Sequence, residues 1–395
     1  MRDETPAIVV VDDDPLILET LAVLLAGTGR PVYLCGDTES ATVVLGHVPV
    51  SHVVADVQFS GRFGFEGLTF VSAIKAKQPG CRVVSISGYD SAELRDETIA
   101  RGADGFIAKP FGFAELEEVL HLDILLSDAD DAKIIRFPSL AEITGGPSLI
   151  AHVQPIVDLR DTDGEPFGYE ALARYAGGPL EGNGWLFEYA RLRGRSYELN
   201  AACIRRAIAA AADLPPCSRI FINVDPAVLG DSRDIAKTLL SAARGYDIDP
   251  SRIVLELTEE MPMSGVPEVL EAIAVLRRAG VQFALDDFGT GYAHLGYAAA
   301  IRPAFMKIGQ NLGTSFENDD TKGRIVGSIF GLAKALDCLL IVEGIESEAT
   351  AAAARRAGIP LAQGYFFGRP GVAAGFTEDN FCFGSRFFSV PLTVA

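Results

Sequence analysis

RIVLELTEEMPMSGVPEVLEAIAVLRRAGVQFALDDFGTG, residues 252–291, decides the fold of the larger part of this chain. It opens on one apolar run, RIVLELT, and closes on another, VQFALDD, with a helical stretch between them. Strand, helix and strand at this spacing form a parallel βαβ unit. Working outward, HVQPIVDL, FGYEALARY and RIFINV precede it, and AFMKI, CLLIVEG and LAQGYFFG follow it. The stretches between are rich in alanine, the best helix former, as in AACIRRAIAAAA and ATAAAARRAG. That many βα-like units predicts a (β/α)-barrel over 149–395, with the apolar tail FCFGSRFFSVPLTVA (381–395) as a C-terminal extension. Residues 1–126 alternate on a smaller scale. IVVV (8–11), HVVADV (52–57), RVVSIS (82–87) and GFIAK (105–109) read as strands between amphipathic helices, which predicts a parallel sheet covered on both faces. The polar SDADDAK (127–133) and the turn cluster TGGPS (144–148) bracket a linker over 127–148, in which LAEI reads as a short helix.

Composition narrows the chemistry. The formal net charge of −19 argues against non-specific binding to DNA, RNA or anionic lipid, because basic surface supplies that affinity. The six cysteines show no CxxC pair or metal-ligand spacing and suit a reducing compartment, so a cytoplasmic location is expected. The N-terminal stretch shows no cationic region followed by a long apolar one, so no secretion signal is expected, and no apolar run is long enough for membrane insertion. Five histidines with no HExxH pattern leave oxygen ligands to hold any metal, which points to Mg2+ or Mn2+.

The N-terminal region carries a first constellation. Asp12, Asp13 and Asp14 follow the first strand, Asp56 closes the HVVADV strand, Ser87 the next and Lys109 the last. In a doubly wound sheet the carboxyl ends of adjacent strands share one crevice, so these groups converge. Clustered carboxylates repel unless a hard divalent cation sits among them, and that cation also makes Asp56 a competent nucleophile toward a phosphoryl group. Lys109 would pair with the phosphate and Ser87 would hydrogen-bond it. In order and spacing, including AKPF (108–111), residues 7–126 resemble the receiver domain of a bacterial response regulator. The resemblance implies a doubly wound (βα)5 fold and phosphorylation at Asp56. It implies one magnesium held by Asp12, Asp13, Asp56 and the Gln58 carbonyl, and Phe106 as the switch aromatic that follows Ser87 inward. The implied partner is a sensor histidine kinase or phosphotransfer protein.

The second constellation lies on the expected barrel rim. Glu170, Asn223, Glu256, the pair Asp286 and Asp287, Lys307, Glu343 and Gln363 each sit where a strand gives way to its loop. Five acids and two amides, with no His or Cys, make an oxygen-ligand site for one or two magnesium-class ions. Paired metals suit in-line cleavage of a phosphodiester, whereas the acidic rim alone would repel a dianionic dinucleotide. Lys307 is placed to position a nucleophile or neutralise developing charge, and Arg174 to clamp a phosphate. QPIVDL (154–159), EALAR (170–174), FINV (221–224), ELTE (256–259), LDDFGTG (285–291), KI (307–308), EGIE (343–346) and QGYFFGRP (363–370) together resemble the EAL-domain family of cyclic di-GMP phosphodiesterases.

That resemblance implies a TIM-like (β/α)8 barrel and hydrolysis of cyclic di-GMP to linear pGpG. Glu170, Asn223, Glu256 and Asp286 would hold one metal, and Asp287, sharing Asp286, the second. Lys307 and Glu343 would serve the attacking water, Gln363 would orient it, Gln154 and Arg174 would contact the ligand, and Glu259 would anchor the DDFGTG loop. A homo-oligomer is the family expectation. Two departures stand out: the family's KID triplet reads Lys307-Ile308-Gly309, and WLFEYARLRGRSYEL (185–199) replaces a stretch that usually reads like FIPLAEETGLI. The alternative reading is a barrel that binds cyclic di-GMP as a sensor without cleaving it.

Overall fold

The β-branched runs near the N-terminus become buried strands of a parallel sheet. In the computed structural model, which describes residues 5–58, 66–122, 133–160, 166–231, 233–258, 266–289 and 295–375, the chain divides into two units. Met1–Gly146 and Gly177–Arg195 form one; Pro147–Ala176 and Ser196–Ala395 form the other.

The first unit runs β1 (Ala7–Val11), α1 (Pro15–Ala26), β2 (Val32–Cys35), α2 (Thr38–His47), β3 (Val50–Asp56), α3 (Glu66–Lys77), β4 (Arg82–Ser87), α4 (Ala92–Ala100), β5 (Gly105–Ala108) and α5 (Phe113–Leu120). The strand order β5-β4-β3-β1-β2 is doubly wound, so the carboxyl ends of β1, β3, β4 and β5 lie side by side. Ile8, Val10, Val54, Val84, Ile86 and Ile107 pack one face of the sheet against Leu21, Leu25, Leu116 and Leu120. Neither β2 nor α2 is marked by a readable pattern in the sequence. VYLC is four residues long and wholly buried, so it offers no polar alternation to read.

Inside the expected linker, β6 (Ile134–Arg136) pairs in parallel with β2 as a sixth strand, and α6 (Leu140–Gly145) follows it. LAEI is thus helical, started by a capping box in which Ser139 and Glu142 exchange hydrogen bonds. The last element of this unit is α7 (Gly184–Leu192), which places Trp185 and Tyr189 edge-on against Phe137.

The second unit is a closed eight-stranded barrel of β7 (Leu149–Asp158), β8 (Pro166–Tyr175), β9 (Arg219–Asn223), β10 (Ile253–Thr258), β11 (Gln282–Asp286), β12 (Phe305–Ile308), β13 (Leu339–Val342) and β14 (Leu361–Gln363). One feature refines the eightfold βα pattern. β7 runs antiparallel to both β8 and β14, so the barrel opens with a hairpin and closes through the reversed strand. The short β15 (Gly371–Val372) adds to the free length of β7. Gly168 in β8 is required by close approach: a Cβ there would meet the Arg219 carbonyl oxygen at 2.8 Å and the Phe221 ring at 3.1 Å.

Alternation along the strands places the site. Ile156, Phe221, Val254, Ala284, Phe305, Ile341 and Leu361 form an apolar layer inside the barrel. Side chains repeat every second residue on one face of a strand. Two positions further toward the carboxyl ends of the parallel strands, the same face therefore presents Asn223, Glu256, Asp286, Lys307, Glu343 and Gln363. Because β7 is reversed, its matching residue is two positions earlier, Gln154, which lies opposite Glu170 in the hairpin register.

Candidate functional site

The polar layer of the barrel centres on an ammonium. Lys307 is completely buried, and its Nζ lies 2.7 Å from Glu343 Oε1, 2.9 Å from Glu256 Oε1, 3.3 Å from Glu170 Oε2 and 3.4 Å from Asp286 Oδ1. A buried ammonium is sustained by such pairing. Burial alone would lower its pKa, but Asp286, Glu170, Glu256 and Glu343 together hold it well above the usual lysine range. One ammonium facing four ionised carboxylates leaves three uncompensated negative charges. The carboxyls respond accordingly. Burial, then Glu170, pushes Glu256 well up, and burial raises Glu343 to about 8 against the pull of Lys307. Burial also acts on Glu170, yet Lys307 and hydrogen bonds from Gln363 and Asn223 keep it below its ordinary value.

Neutral amides order the rest of the layer. Gln363 Nε2 donates to Glu170 Oε2 at 2.6 Å and to Gln154 Oε1 at 3.1 Å, and Asn223 Nδ2 donates to Glu170 Oε1 at 2.9 Å. Gln154 in turn donates to the Gly368 carbonyl at 3.0 Å, which ties the start of the barrel to the GRP turn. Arg174 donates to the Ala173 carbonyl at 2.9 Å, and burial lowers its pKa.

Above this layer is a cleft of about 260 Å³ lined by Glu170, Arg174, Asp286, Asp287, Glu343 and Gln363, with Gln154 on its wall. The segment 185–199 contributes no lining residue to it. Asp287 stands at φ 53°, a left-handed conformation uncommon outside glycine and best tolerated by Asp and Asn. Asp286, Asp287 and Glu343 each offer an oxygen within 4.8 Å of the others. The donor set fits a divalent cation of the magnesium class. It is all oxygen, and Glu256 Oε2 and Gln363 Oε1 are buried without a hydrogen-bond partner. Glu259 and its suggested anchoring contact lie outside the described residues.

The first unit has its own acidic pocket. Lys109 Nζ is 2.6 Å from Asp12 Oδ2 and 2.8 Å from Asp56 Oδ2. The backbone N–H of Gln58 donates to Asp56 Oδ1 at 2.9 Å. Asp12, Asp13 and Asp56 bring oxygens within 4.8 Å of one another, again a hard-cation donor set. Burial raises the Asp12 carboxyl despite Lys109. The Ser87 hydroxyl accepts from the Tyr89 N–H at 3.0 Å. Phe106 is buried among Val57, Leu68 and Leu94, with the Arg95 guanidinium 5.0 Å from its ring centre.

The sequence did not single out three further groups: Gln310 and Glu346, which line the barrel cleft, and Tyr365, whose ring lies 4.2 Å from the Arg369 guanidinium. Glu346 and Tyr365 lie inside the EGIE and QGYFFGRP motifs, and Gln310 directly follows Lys307-Ile308-Gly309, and only that placement could have marked them.

Known proteins are similar to this chain. A model of the response regulator receiver domain matches residues 8–121, and a model of the EAL domain matches residues 143–370. The cyclic di-GMP phosphodiesterase RocR of Pseudomonas aeruginosa is 27% identical over 401 residues, which cover 96% of this chain and 99% of RocR. The cyclic di-GMP phosphodiesterase PdeL of Escherichia coli is 35% identical over 157 residues, 40% of this chain and 43% of PdeL. Among solved structures, the PaMucR phosphodiesterase in complex with c-di-GMP aligns at a TM-score of 0.54 and 25% identity, over 60% of this chain and 98% of that one. A c-di-GMP-bound standalone EAL protein from Vibrio cholerae O395 aligns at a TM-score of 0.50 and 30% identity, over 57% and 93%. With more than half of its residues matched and the acidic layer at the expected barrel end, the chain belongs to the EAL-domain family and carries a receiver domain ahead of its barrel.

Proposed function

We propose that this chain is a response regulator whose barrel hydrolyses cyclic di-GMP to linear pGpG, with the rate set by phosphorylation of Asp56. The observation that carries the reading is the convergence of Glu170, Glu256, Asp286 and Glu343 on Lys307 at the floor of an open cleft. Divalent cations, magnesium or manganese, supply charge neutralisation for the phosphodiester and lower the pKa of the attacking water when bound. Glu170, Asn223, Glu256 and Asp286 would hold one, and Asp287 with Asp286 a second.

The chain's own groups do the remaining work. Gln154 and Arg174 hold the dinucleotide against the rim. Glu343 and Gln363 orient the water for in-line attack on phosphorus; the new P–O bond forms as the P–O3′ bond breaks, and the sugar oxygen leaves as a hydroxyl. Lys307 keeps the carboxylates converged and offsets negative charge as it grows. In the receiver, Lys109 would hold the phosphoryl group on Asp56, donated by a histidine kinase or phosphotransfer protein. Chromatography of cyclic di-GMP incubated with the protein and Mg2+ or Mn2+ tests the reading: linear pGpG supports it, and unchanged nucleotide in both phosphorylation states rejects it.

One observation favours a second reading, in which the barrel senses the nucleotide without cleaving it. Gly309, at the position of the motif's aspartate, caps the helix Gln310–Gly313 without a side chain, so no carboxylate stands there beside Lys307. Tight binding without product would select that alternative.

A further inference from the structure

The chain enters the first unit twice. After β8, which carries Glu170 and Arg174, it leaves the barrel unit at Ala176, contributes Gly177–Arg195 to the receiver unit, and returns at Ser196 to begin α8 (Ser196–Ala211). This excursion holds α7 and the larger part of WLFEYARLRGRSYEL (185–199), one of the two stretches read above as departures from the family pattern. We propose that α7 is the element through which the receiver controls the barrel: it docks on α2 and holds the two barrel segments that flank it in the chain. The inference rests on the functional reading above and names the route of its regulation.

The docking is specific at both ends. The Tyr189 hydroxyl donates to Asp37 Oδ2 at 2.8 Å, while Asp37 Oδ1 accepts the Ser40 N–H at 2.7 Å and caps α2. Arg193 Nη1 lies 3.4 Å from both Asp37 and Glu39. His47, at the other end of α2, faces Glu188 at 3.8 Å. Trp185 and Tyr189 are both 1% exposed. Phe137, directly after β6, fills the space beside them with ring centres at 5.2 and 5.1 Å. Edge-on aromatic pairs of this kind bring apolar burial together with fixed geometry.

Asp37 is also close in the chain to the phosphoacceptor pocket. The Asp12 N–H donates to the Cys35 carbonyl at 3.1 Å, and Asp12 shares Lys109 with Asp56. A shift of Asp12 as the phosphoryl group and its cation bind is thus passed to the β2–α2 corner, two residues from the carboxylate that holds Tyr189. At the far end of α7, the buried Asn200 of α8 accepts the Asp225 N–H at 3.1 Å. That fixes the loop directly after Asn223. Strands β8 and β9, which bring Glu170, Arg174 and Asn223 to the cleft, therefore bracket a segment folded into the receiver. Coupling of this kind is a difference in stability between two arrangements and must act in both directions.

Trp185 is the only tryptophan of the chain, so its emission reports on α7 whether or not the barrel turns over. Beryllofluoride with Mg2+ mimics the phosphoryl group on Asp56. The full-length protein is expected to change its Trp185 emission on adding beryllofluoride and the Asp56→Asn variant is not; an unchanged wild-type spectrum overturns the proposal. Tyr189→Phe with Arg193→Ala keeps the ring and removes the contacts to Asp37. This variant is expected to keep unstimulated turnover within about twofold and to lose most of the beryllofluoride response. A full response in the variant overturns the proposal. Asp37→Asn, which retains the cap, should repeat the loss if Tyr189→Phe folds poorly. Failure of the functional reading looks different: wild-type protein then makes no pGpG at all, while the emission change still decides the role of α7.

Discussion

Lys307 Nζ sits 2.7 Å from Glu343 Oε1 in a layer sealed beneath the barrel mouth. The lysine is the internal countercharge of a site built from acids, and its removal should be felt first as instability. Truncating one partner of a buried ion network costs about 3–5 kcal/mol, because the remaining charges stay buried. Lys307→Ala should therefore melt well below wild type in chelator and regain part of the difference when Mn2+ is added. Thermal melts with and without the cation check this. Equal melting of variant and wild type in chelator would contradict the countercharge role.

Glu170 accepts from both Asn223 and Gln363 while facing Lys307. Glu170→Ala removes a candidate cation ligand and frees two amides together. Turnover of cyclic di-GMP is expected to fall at least about 100-fold, within the range for losing a group that stabilises developing charge. Initial rates at saturating Mn2+ measure it, and a loss of tenfold or less would mean that Glu170 is not at the reacting centre.

Asp56 belongs to the receiver pocket, where Lys109 holds it 2.8 Å away. Asp56→Ala should leave unstimulated turnover within about twofold and abolish any change on adding a phosphoryl donor, since a phosphate acts there only through a differential stability. Paired rate measurements with and without acetyl phosphate decide the point.

Gly309 offers a gain-of-function test. Supporting groups around a metal site are worth about 10–100-fold in activity. Gly309→Asp, which restores a carboxylate beside Lys307, should raise turnover by up to that factor. An unchanged or lower rate would show that the chain does not need the missing acid.

The receiver sheet also has a pH-dependent tie. Asp104 accepts from Lys75 Nζ at 2.6 Å and from the Val83 N–H at 2.7 Å. Burial raises its carboxyl, but those two hydrogen bonds outweigh it and hold the pKa below the ordinary aspartate value of 3.8. The contribution is complete above the unfolded pKa and is lost as pH falls through the folded one. Asp104→Asn should cost about 1–2 kcal/mol at neutral pH and progressively less below pH ~3.8. Urea unfolding at the two pH values measures the difference.

Much of the site was legible because a strand repeats every second residue. Once Phe221, Val254, Phe305 and Ile341 read as inward-facing, the polar residues two positions later had to meet at one end of the barrel. The depth of Lys307 was not legible. In FMKI it reads as a rim lysine, and only the neighbouring strands bury it completely. The membership of α7 was hidden for a related reason. Trp185 finds Phe137 across a long stretch of chain, and no local pattern encodes such a contact. The hairpin of β7 and β8 departs from the βα repeat of the rest of the barrel, because no helix separates HVQPIVDL from FGYEALARY and the two strands pair antiparallel.

Bound divalent cations should turn the acidic layer around Lys307 into a site that cuts a phosphodiester. Hydrolysis in water enriched in oxygen-18, followed by mass spectrometry of the nucleotide, tests it most directly. The expected product is pGpG carrying one heavy oxygen on its terminal phosphate, formed with Mg2+ or Mn2+ and absent after chelation. Intact cyclic di-GMP in the presence of either cation, or product formed equally well in chelator, would contradict it.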